Sequence, residues 1–129
     1  MTTDFRNLRV WEESMALAEL VYDAAASFPP DERYGLASQI KRAAVSVPSC
    51  IAEGNARAST RSMAKGSLAE VQTQLLLATR LGFVDRAAVD LALDKARLVS
   101  VLLQALRKSL NAKLQRLNGS PFPIPVSAL

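Results

Sequence analysis

Apolar residues recur along most of this chain at alternating spacings of four and three, which is the repeat of one face of an α-helix. In the first segment this repeat predicts a helix from about residue 7 to residue 27. The helix must end before Pro29 and Pro30, because proline disfavours helical geometry in the residue before it. Its predicted core face consists of Trp11, Met15, Ala18, Tyr22 and Ala25, and is widened by Val10, Leu17, Leu20 and Val21.

The second segment contains a proline inside a helical repeat. A helix that begins near Tyr34 is predicted to kink at Pro48, because proline lacks a backbone donor and its ring crowds the carbonyl of Ala44. Ser46 and Ser49 can hydrogen-bond the carbonyls that such a kink frees. The apolar side of this helix consists of Leu36, Ile40, Ala43, Val47 and Ile51.

The third and fourth helices are predicted to form an antiparallel hairpin. The third begins near Ser59 or Thr60, which are good N-cap residues, and ends at Gly82 in a left-handed cap onto which Phe83 packs. Asp85 caps the fourth helix after a short connection, which favours antiparallel neighbours. The apolar face of the third helix consists of Ala64, Leu68, Val71, Leu75 and Ala78.

The fourth helix reaches about residue 117 and carries two adjacent apolar stripes. One stripe is enough for a core within the chain, so the second predicts burial against another chain, because monomers rarely expose large apolar patches. A broad core-facing helix is the equally favoured alternative. The first stripe consists of Val99, Leu103, Leu106, Leu110, Leu114 and Leu117, and the second, our candidate oligomer interface, of Leu91, Leu98, Leu102 and Ala105.

Four helical segments without strand-like alternation predict an all-α fold, an antiparallel up-down-up-down four-helix bundle over residues 1–117. Residues 118–129 form a tail with three prolines in alternation and no charged side chain. This composition predicts an extended or disordered segment. The alternative is that the tail docks on a neighbour as an ordered strap.

Composition limits the class of protein. A chain of 129 residues is long enough for one domain with its own core, and 50% apolar with only 5% aromatic residues favours helices. One cysteine excludes a disulfide within the chain and fits a reducing compartment. The charged N-terminal segment is unlike a secretory signal, and no apolar run is long enough to span a bilayer. We therefore expect a soluble cytoplasmic protein with no membrane contact.

The net charge of +4 hides an asymmetry between the start of the chain and the rest. Residues 1–32 contain two basic and seven acidic side chains, and residues 33–129 contain fourteen basic and five acidic ones. A basic surface is typical of proteins that bind polyanions. The alternatives are an ordinary solvated surface, or pairing between the acidic first helix and its basic neighbours.

Most catalytic chemistry is excluded by the residues that are missing. Without histidine, the chain has no histidine-based triad and no histidine-containing metal site, and its scattered glycines form no phosphate loop. We expect Cys50 to be a small buried core residue rather than a nucleophile. Carboxylate chemistry at Glu53 and Glu70 is the remaining enzymatic alternative, but we favour a structural role as buried glutamates paired with Arg42 or Arg80. We expect no enzyme activity, no cofactor and no metal.

Two basic clusters are the candidate nucleic-acid-binding residues. The first lies near the start of a helix, where the helix dipole gives cations no support, and the second lies near a helix end, where the dipole alone explains cations. Phosphate contacts are the functional explanation, and the first cluster is the better candidate for them. The first cluster consists of Arg57, Arg61 and Lys65, and the second of Arg107, Lys108, Lys113 and Arg116.

Three separated blocks resemble one protein family in the same order. They are FRNLRVWEESMALAELVY, RYGLASQIKRAAVSVPSCIAEGNAR and GSLAEVQTQLLLATRLGF, so that the resemblance covers roughly residues 5–117. The chain resembles the bacterial four-helix-bundle proteins typified by those encoded in intervening sequences of 23S ribosomal RNA genes. It departs from their pattern at Cys50, where asparagine is usual, and in a shorter link between Gly54 and Gly66.

The resemblance implies a homopentameric ring of four-helix bundles without enzymatic activity. The family also includes accessory proteins of diversity-generating retroelements, which are basic rings that engage nucleic acid and a reverse transcriptase. Pro48, Glu53 and Gly54 fall on the family's recurring proline and Ile-Ala-Glu-Gly block. The resemblance therefore implies a structural hydrogen-bonding role for Glu53, and close packing or a helix end at Gly54.

Two functional hypotheses follow. The first is a non-enzymatic, oligomeric and pentameric scaffold that binds RNA or DNA through its basic surface. The alternative is a protein–protein interaction adaptor that binds no nucleic acid, which the second apolar stripe and the modest net charge favour.

Overall fold

The structure is a computed structural model that describes residues 4–54 and 58–118, except for the side chains at 58–61 and at 118. The described chain contains helices and turns and no strand, which confirms the predicted all-α class. Two short 3-10 helices occupy Phe5–Asn7 and Pro30–Glu32. The four α-helices are α1 (Arg9–Ala25), α2 (Leu36–Glu53), α3 (Ala58–Arg80) and α4 (Arg86–Asn118), and each begins within two residues of its predicted start.

The helices pack as an antiparallel bundle in which α1 contacts α2 and α4, and α3 contacts α2 and α4. Two contacts show the direction of α1 against α4. Glu13 near the start of α1 pairs with Lys95, and Ser27 just after α1 donates to the carbonyl of Phe83 just before α4. As the residue number rises along α1, the partner's number falls, so the two helices run in opposite directions.

The core of the bundle is aliphatic. Its largest fully buried side chains come from every helix and interlock at the centre, as close-packed interiors require. They are Leu17, Val21, Ile40, Val47, Ile51, Val71, Leu75, Val89 and Val99.

The core face predicted for α1 is right for Val10, Leu17 and Val21 and wrong for most of the set at 11, 15, 18, 22 and 25. Met15 and Tyr22 are exposed, Trp11 and Ala18 are only half-buried, and of that predicted set Ala25 alone is fully buried. The residues that α1 turns to the core are Val10, Ser14, Leu17, Val21, Ala24 and Ala25. Both stripes of this helix are apolar at helical spacing, so their periodicity alone does not show which of them meets the other helices.

α2 continues through Pro48, which is buried within it. The hydroxyl of Ser49 donates to the carbonyl of Val45 at 2.8 Å, one residue after the Ala44 carbonyl that Pro48 leaves without a backbone donor. The role predicted for Ser46 is wrong, because its Oγ lies 2.7 Å from Ser67 Oγ on α3 and links the two helices. The helix ends at Gly54, whose backbone N–H donates to the carbonyl of Cys50 at 3.2 Å.

The turn between α3 and α4 confirms the left-handed cap predicted at Gly82. Gly82 has a φ of 74°, the left-handed region that favours glycine. Its N–H donates to the carbonyl of Thr79 at 3.1 Å, and the Phe83 N–H donates to that of Ala78 at 3.0 Å, which is the Schellman motif. The Phe83 ring then packs on Phe28 with their centroids 5.8 Å apart, which ties this turn to the end of α1.

α4 extends past the core of the bundle. With 33 residues it is about 50 Å long, because an α-helix rises about 1.5 Å per residue. Leu103 is its last fully buried residue in the described chain, and Leu117, predicted to continue the core stripe, is 72% exposed. The helix includes Asn118, which was predicted to begin the tail, and the rest of the predicted tail lies outside the described residues. Within the described part of the chain, no helix is long and apolar enough to cross a membrane.

Candidate nucleic-acid interface

The described helix positions of the two predicted basic clusters lie toward the same end of the bundle. The short turn at 81–85 places the first half of α3 beside the second half of α4. At about 1.5 Å per residue, Ala58 at the start of α3 is level with Lys108 on α4. Lys113 and Arg116 lie farther along α4, in the segment that projects beyond the core. This end, which contains the start of α3 and the end of α4, is called the basic end below.

The side chains at the basic end differ in how far the structure describes them. Lys65 is exposed on α3, Arg61 lies on α3 with an undescribed side chain, and Arg57 lies outside the described residues. On α4, Arg107 is half-buried, and Lys108, Lys113 and Arg116 are exposed. The accessible cations described at this end are therefore Lys65 and three residues of α4.

The ion pairs of the described residues use other cations. They join Arg6 to Asp4, Arg86 to Asp90, Arg97 to Asp94, and Lys95 to Glu13. After Asp94 the sequence contains no acidic residue, so the end of α4 has no carboxylate of its own to neutralise its cations. None of the ion pairs of the described residues involves Lys65, Lys108, Lys113 or Arg116.

One contact realises the predicted pairing between the acidic first helix and a basic neighbour. Lys95 Nζ on α4 lies 2.7 Å from Glu13 Oε2 on α1, and both side chains are partly shielded from solvent. The hydrogen bond from Lys95 holds the pKa of the Glu13 carboxyl below its ordinary value, and the charges of Lys95 and Arg9 act in the same direction. This ion pair involves a lysine in the middle of α4 and none of the cations of the basic end.

The carboxylates considered for chemistry are not buried. Glu53 at the end of α2 and Glu70 on α3 are both exposed, so the expectation of buried glutamates is wrong. Each lies on the side of its helix that faces away from the core, and their structural roles stay predictions. Cys50 is buried with its Sγ 3.8 Å from Ser46 Oγ, which confirms its position in the core. No three acidic or cysteine side chains of the described residues come together as metal ligands.

The candidate oligomer interface lies on the outer side of α4. Leu91 is 61% exposed, Ala105 is exposed, and Leu98 and Leu102 are half-buried, with Leu102 also touching the core. Sequence reasoning did not single out a second exposed apolar group on α3, which consists of Leu76, Leu77 and Leu81. Their spacing breaks the core repeat of α3, which was the signal that they face outwards.

Sequence reasoning also missed a groove of about 700 Å³ between α1 and α2. It is formed by the stripe of α1 that was assigned to the core and by the outer side of α2 around Pro48. Its lining residues are Trp11, Met15, Ala18, Glu19, Tyr22, Asp23, Val45, Pro48, Ser49 and Ala52. We call it the α1/α2 groove.

The chain was compared with known protein families and proteins. The family model described as 23S rRNA-intervening sequence protein matches residues 6–105. No individually curated protein matches the chain. The matched range contains α1, α2, α3 and most of α4, and it stops before the basic cluster that begins at Arg107.

Proposed function

Because this chain belongs to the 23S rRNA-intervening sequence protein family, we propose that it is a non-enzymatic, oligomeric scaffold that binds RNA or DNA through its basic end. A pentamer is the assembly we favour. Binding occurs through phosphates, without strong sequence preference, because lysine and arginine contacts to the backbone read charge and spacing rather than base identity.

The observation that carries this proposal is the projecting end of α4. Lys108, Lys113 and Arg116 are exposed on a helix that extends past the core, and no carboxylate follows Asp94 in the sequence. Favourable contact with the helix dipole accounts for cations in the last turn only, since that effect fades within one turn. Lys108 lies nearly three turns before Asn118, so the dipole does not account for it.

The start of α3 adds to the same surface. Lys65 is exposed, and Arg57 and Arg61 precede it at intervals of four residues. Like charges at this spacing repel each other on a helix. A bound phosphate backbone removes that repulsion, and the backbone N–H groups at a helix N-terminus favour anions as well.

Oligomerisation multiplies the charge of one chain. Each chain carries a net charge of +4, which is modest for a nucleic-acid-binding protein, whereas five copies in one ring present five basic ends to one polyanion. The exposed stripe at Leu91, Leu98, Leu102 and Ala105 supports assembly, because an apolar surface gains free energy when it leaves water.

A protein–protein adaptor is the second candidate. The exposed leucines on α3, Leu76, Leu77 and Leu81, favour it, since they offer an apolar surface apart from the α4 stripe. In this case the cations of the basic end are only solvated, and the protein binds no polyanion.

Binding of labelled nucleic acid decides between the two candidates. Fluorescence anisotropy of an RNA hairpin, single-stranded DNA and duplex DNA is measured against the protein at several salt concentrations. The scaffold predicts binding that weakens steeply with salt, with a slope of about −0.9 per neutralised phosphate on duplex DNA. No binding even at low salt, with the oligomer intact, contradicts the scaffold and favours the adaptor.

A further inference from the structure

The α1/α2 groove is an apolar surface that the described residues leave uncovered. Met15 is 37%, Val45 44% and Tyr22 46% exposed, and all three line the same groove. Trp11 closes the end nearest the start of α1, and Lys41 Nζ lies 5.1 Å from the centre of the Tyr22 ring at the other end. Large apolar side chains gathered in one concave surface are typical of a docking site.

The walls of the groove limit what it binds. Both walls are helices, whose backbone groups are already hydrogen-bonded within α1 and α2, so the groove offers no free edge to pair with a strand. Glu19 and Asp23 on the rim oppose an acidic occupant. The groove therefore fits a segment that contributes apolar side chains, few backbone donors and no negative charge.

Residues 119–129 have this chemistry. Pro121, Pro123 and Pro125 lack backbone N–H groups and alternate with Phe122, Ile124 and Val126, and the segment has no charged side chain. Proline-rich segments are already close to the extended conformation in which they bind, and they commonly dock on grooves lined by aromatic residues. Trp11 and Tyr22 are the aromatic residues of this groove.

The position of Asn118 decides which copy supplies the segment. The Glu13–Lys95 pair places Trp11 level with residue 97 of α4, so Asn118 lies about 32 Å farther along the bundle axis. The groove extends about 16 Å more, from Trp11 to Tyr22. Eleven residues span about 34 Å as a polyproline helix and at most about 40 Å fully extended, so the segment reaches the entrance of its own groove without filling it.

We propose that residues 119–129 of one copy dock in the α1/α2 groove of another copy, with Phe122, Ile124 and Val126 against Trp11, Met15 and Tyr22. The contact links copies by an exchanged strap and is separate from the leucine stripe on α4. It does not depend on nucleic-acid binding.

Trp11 is the only tryptophan of the chain, so its fluorescence reports on the groove directly. The first comparison is between the full-length protein and a variant with F122S, I124S and V126S, called the serine-tail variant. These substitutions lie outside the described bundle, which leaves its core intact. Docking predicts that Trp11 emission of the variant shifts to longer wavelength and that acrylamide quenches it more strongly. Equal spectra and equal quenching overturn the proposal.

A mixing experiment tests whether the segment comes from another copy. The serine-tail variant is mixed in denaturant with a fivefold excess of a W11F protein that keeps its tail, and the two are refolded together. Only the serine-tail copies then contain Trp11, so the signal reports on grooves that have no functional tail of their own. Docking between copies restores the quenching of the unmodified protein. Quenching that stays as strong as in the serine-tail variant refolded alone overturns exchange between copies.

Two lysine substitutions locate the docking site. Val45 in the groove and Leu77 on α3 are equally exposed, at 44% each, so V45K and L77K place the same charge at sites of matched accessibility. Docking predicts that V45K raises Trp11 quenching to the level of the serine-tail variant and that L77K leaves it unchanged. The reverse pattern, or an equal effect of both substitutions, contradicts docking in the α1/α2 groove.

Discussion

Lys95 on α4 and Glu13 on α1 form an ion pair between helices that are far apart in the sequence, with Nζ and Oε2 separated by 2.7 Å. The other ion pairs of the described residues join side chains two to four positions apart in the chain. Among these ion pairs, Glu13–Lys95 is therefore the one that connects two different helices. It aligns the start of α1 with the middle of α4.

This pair predicts a dependence of stability on pH. Lys95 lowers the pKa of Glu13 in the folded protein, so the pair stabilises the fold above the ordinary glutamate pKa and loses that effect as the pH falls through the lowered value. We expect the free energy of unfolding of the unmodified protein to fall more between pH 6 and pH 3 than that of E13Q, measured by urea denaturation. D90N, which removes the exposed pair with Arg86, is the control, and an equal pH dependence of E13Q and the unmodified protein would contradict the assignment.

Alanine substitutions at two glycines are expected to change the free energy of unfolding in opposite directions. Gly82 has a φ of 74°, where a side chain is strained, so G82A is expected to lower the free energy of unfolding by about 1 kcal/mol. Gly66 lies within α3, and a Cβ there would have no neighbour within 4 Å, so G66A is expected to raise it by about 0.5–1 kcal/mol. Urea denaturation measures both, and a stabilising G82A would contradict the Schellman turn.

The basic end predicts which charges set the salt dependence of nucleic-acid binding. The triple variant K108Q, K113Q and R116Q is expected to weaken binding to all sequences and to reduce the slope of log K against log salt by about 0.9 for each lost phosphate contact on duplex DNA. R57A with R61A is expected to flatten the slope in the same way, since it removes two cations of the first predicted cluster.

The control for these charge variants keeps the net charge equal and moves the change to the other end of the bundle. R33Q, R80Q and R86Q remove three exposed arginines near the turns at 26–35 and 81–85. Anisotropy titrations of this variant are expected to match the unmodified protein. Equal losses in the two triple variants would show that net charge matters and that the basic end does not.

The α4 stripe predicts a substitution that separates assembly from folding. Leu91 in the stripe and Met63 on α3 are both 61% exposed, so L91K and M63K compare a site in the stripe with a site on another helix at matched accessibility. We expect L91K to shift the sedimentation coefficient to a smaller species with an unchanged circular dichroism spectrum, and M63K to keep the assembly of the unmodified protein. An intact oligomer in L91K would rule out the stripe as the interface.

The elements of the fold are predictable from local signals. Pro29 and Pro30 ended α1, and Gly82 with Phe83 defined the turn before α4, because each acts through the backbone conformation of its immediate neighbours. The sequence alone also identified the basic residues that are candidates for phosphate contacts. Which of the described ones lie at the same end of the bundle depends on how α3 and α4 align, and this followed only from the hairpin.

Side-chain partners were harder to predict. Ser46 was expected to support the backbone near Pro48, and it bonds instead to Ser67 on α3. A hydroxyl has several acceptors within reach of its own helix, and the sequence contains no signal for one on a neighbour. The same limit applies to Glu13 and Lys95, whose pairing depends on the packing of α1 against α4.

The sequence by itself determined the helical class, the number and bounds of the helices, and the excess of positive charge after residue 32, because these depend on spacing and composition. The tertiary structure decided which apolar stripe of α1 became core and which became a wall of the α1/α2 groove. Both stripes satisfy the same helical repeat, and the free energy of burying either one is similar for an isolated helix. Only the positions of α2 and α4 on the two sides of α1 distinguish them, since the stripe facing both neighbours leaves water completely and the other stays half-exposed.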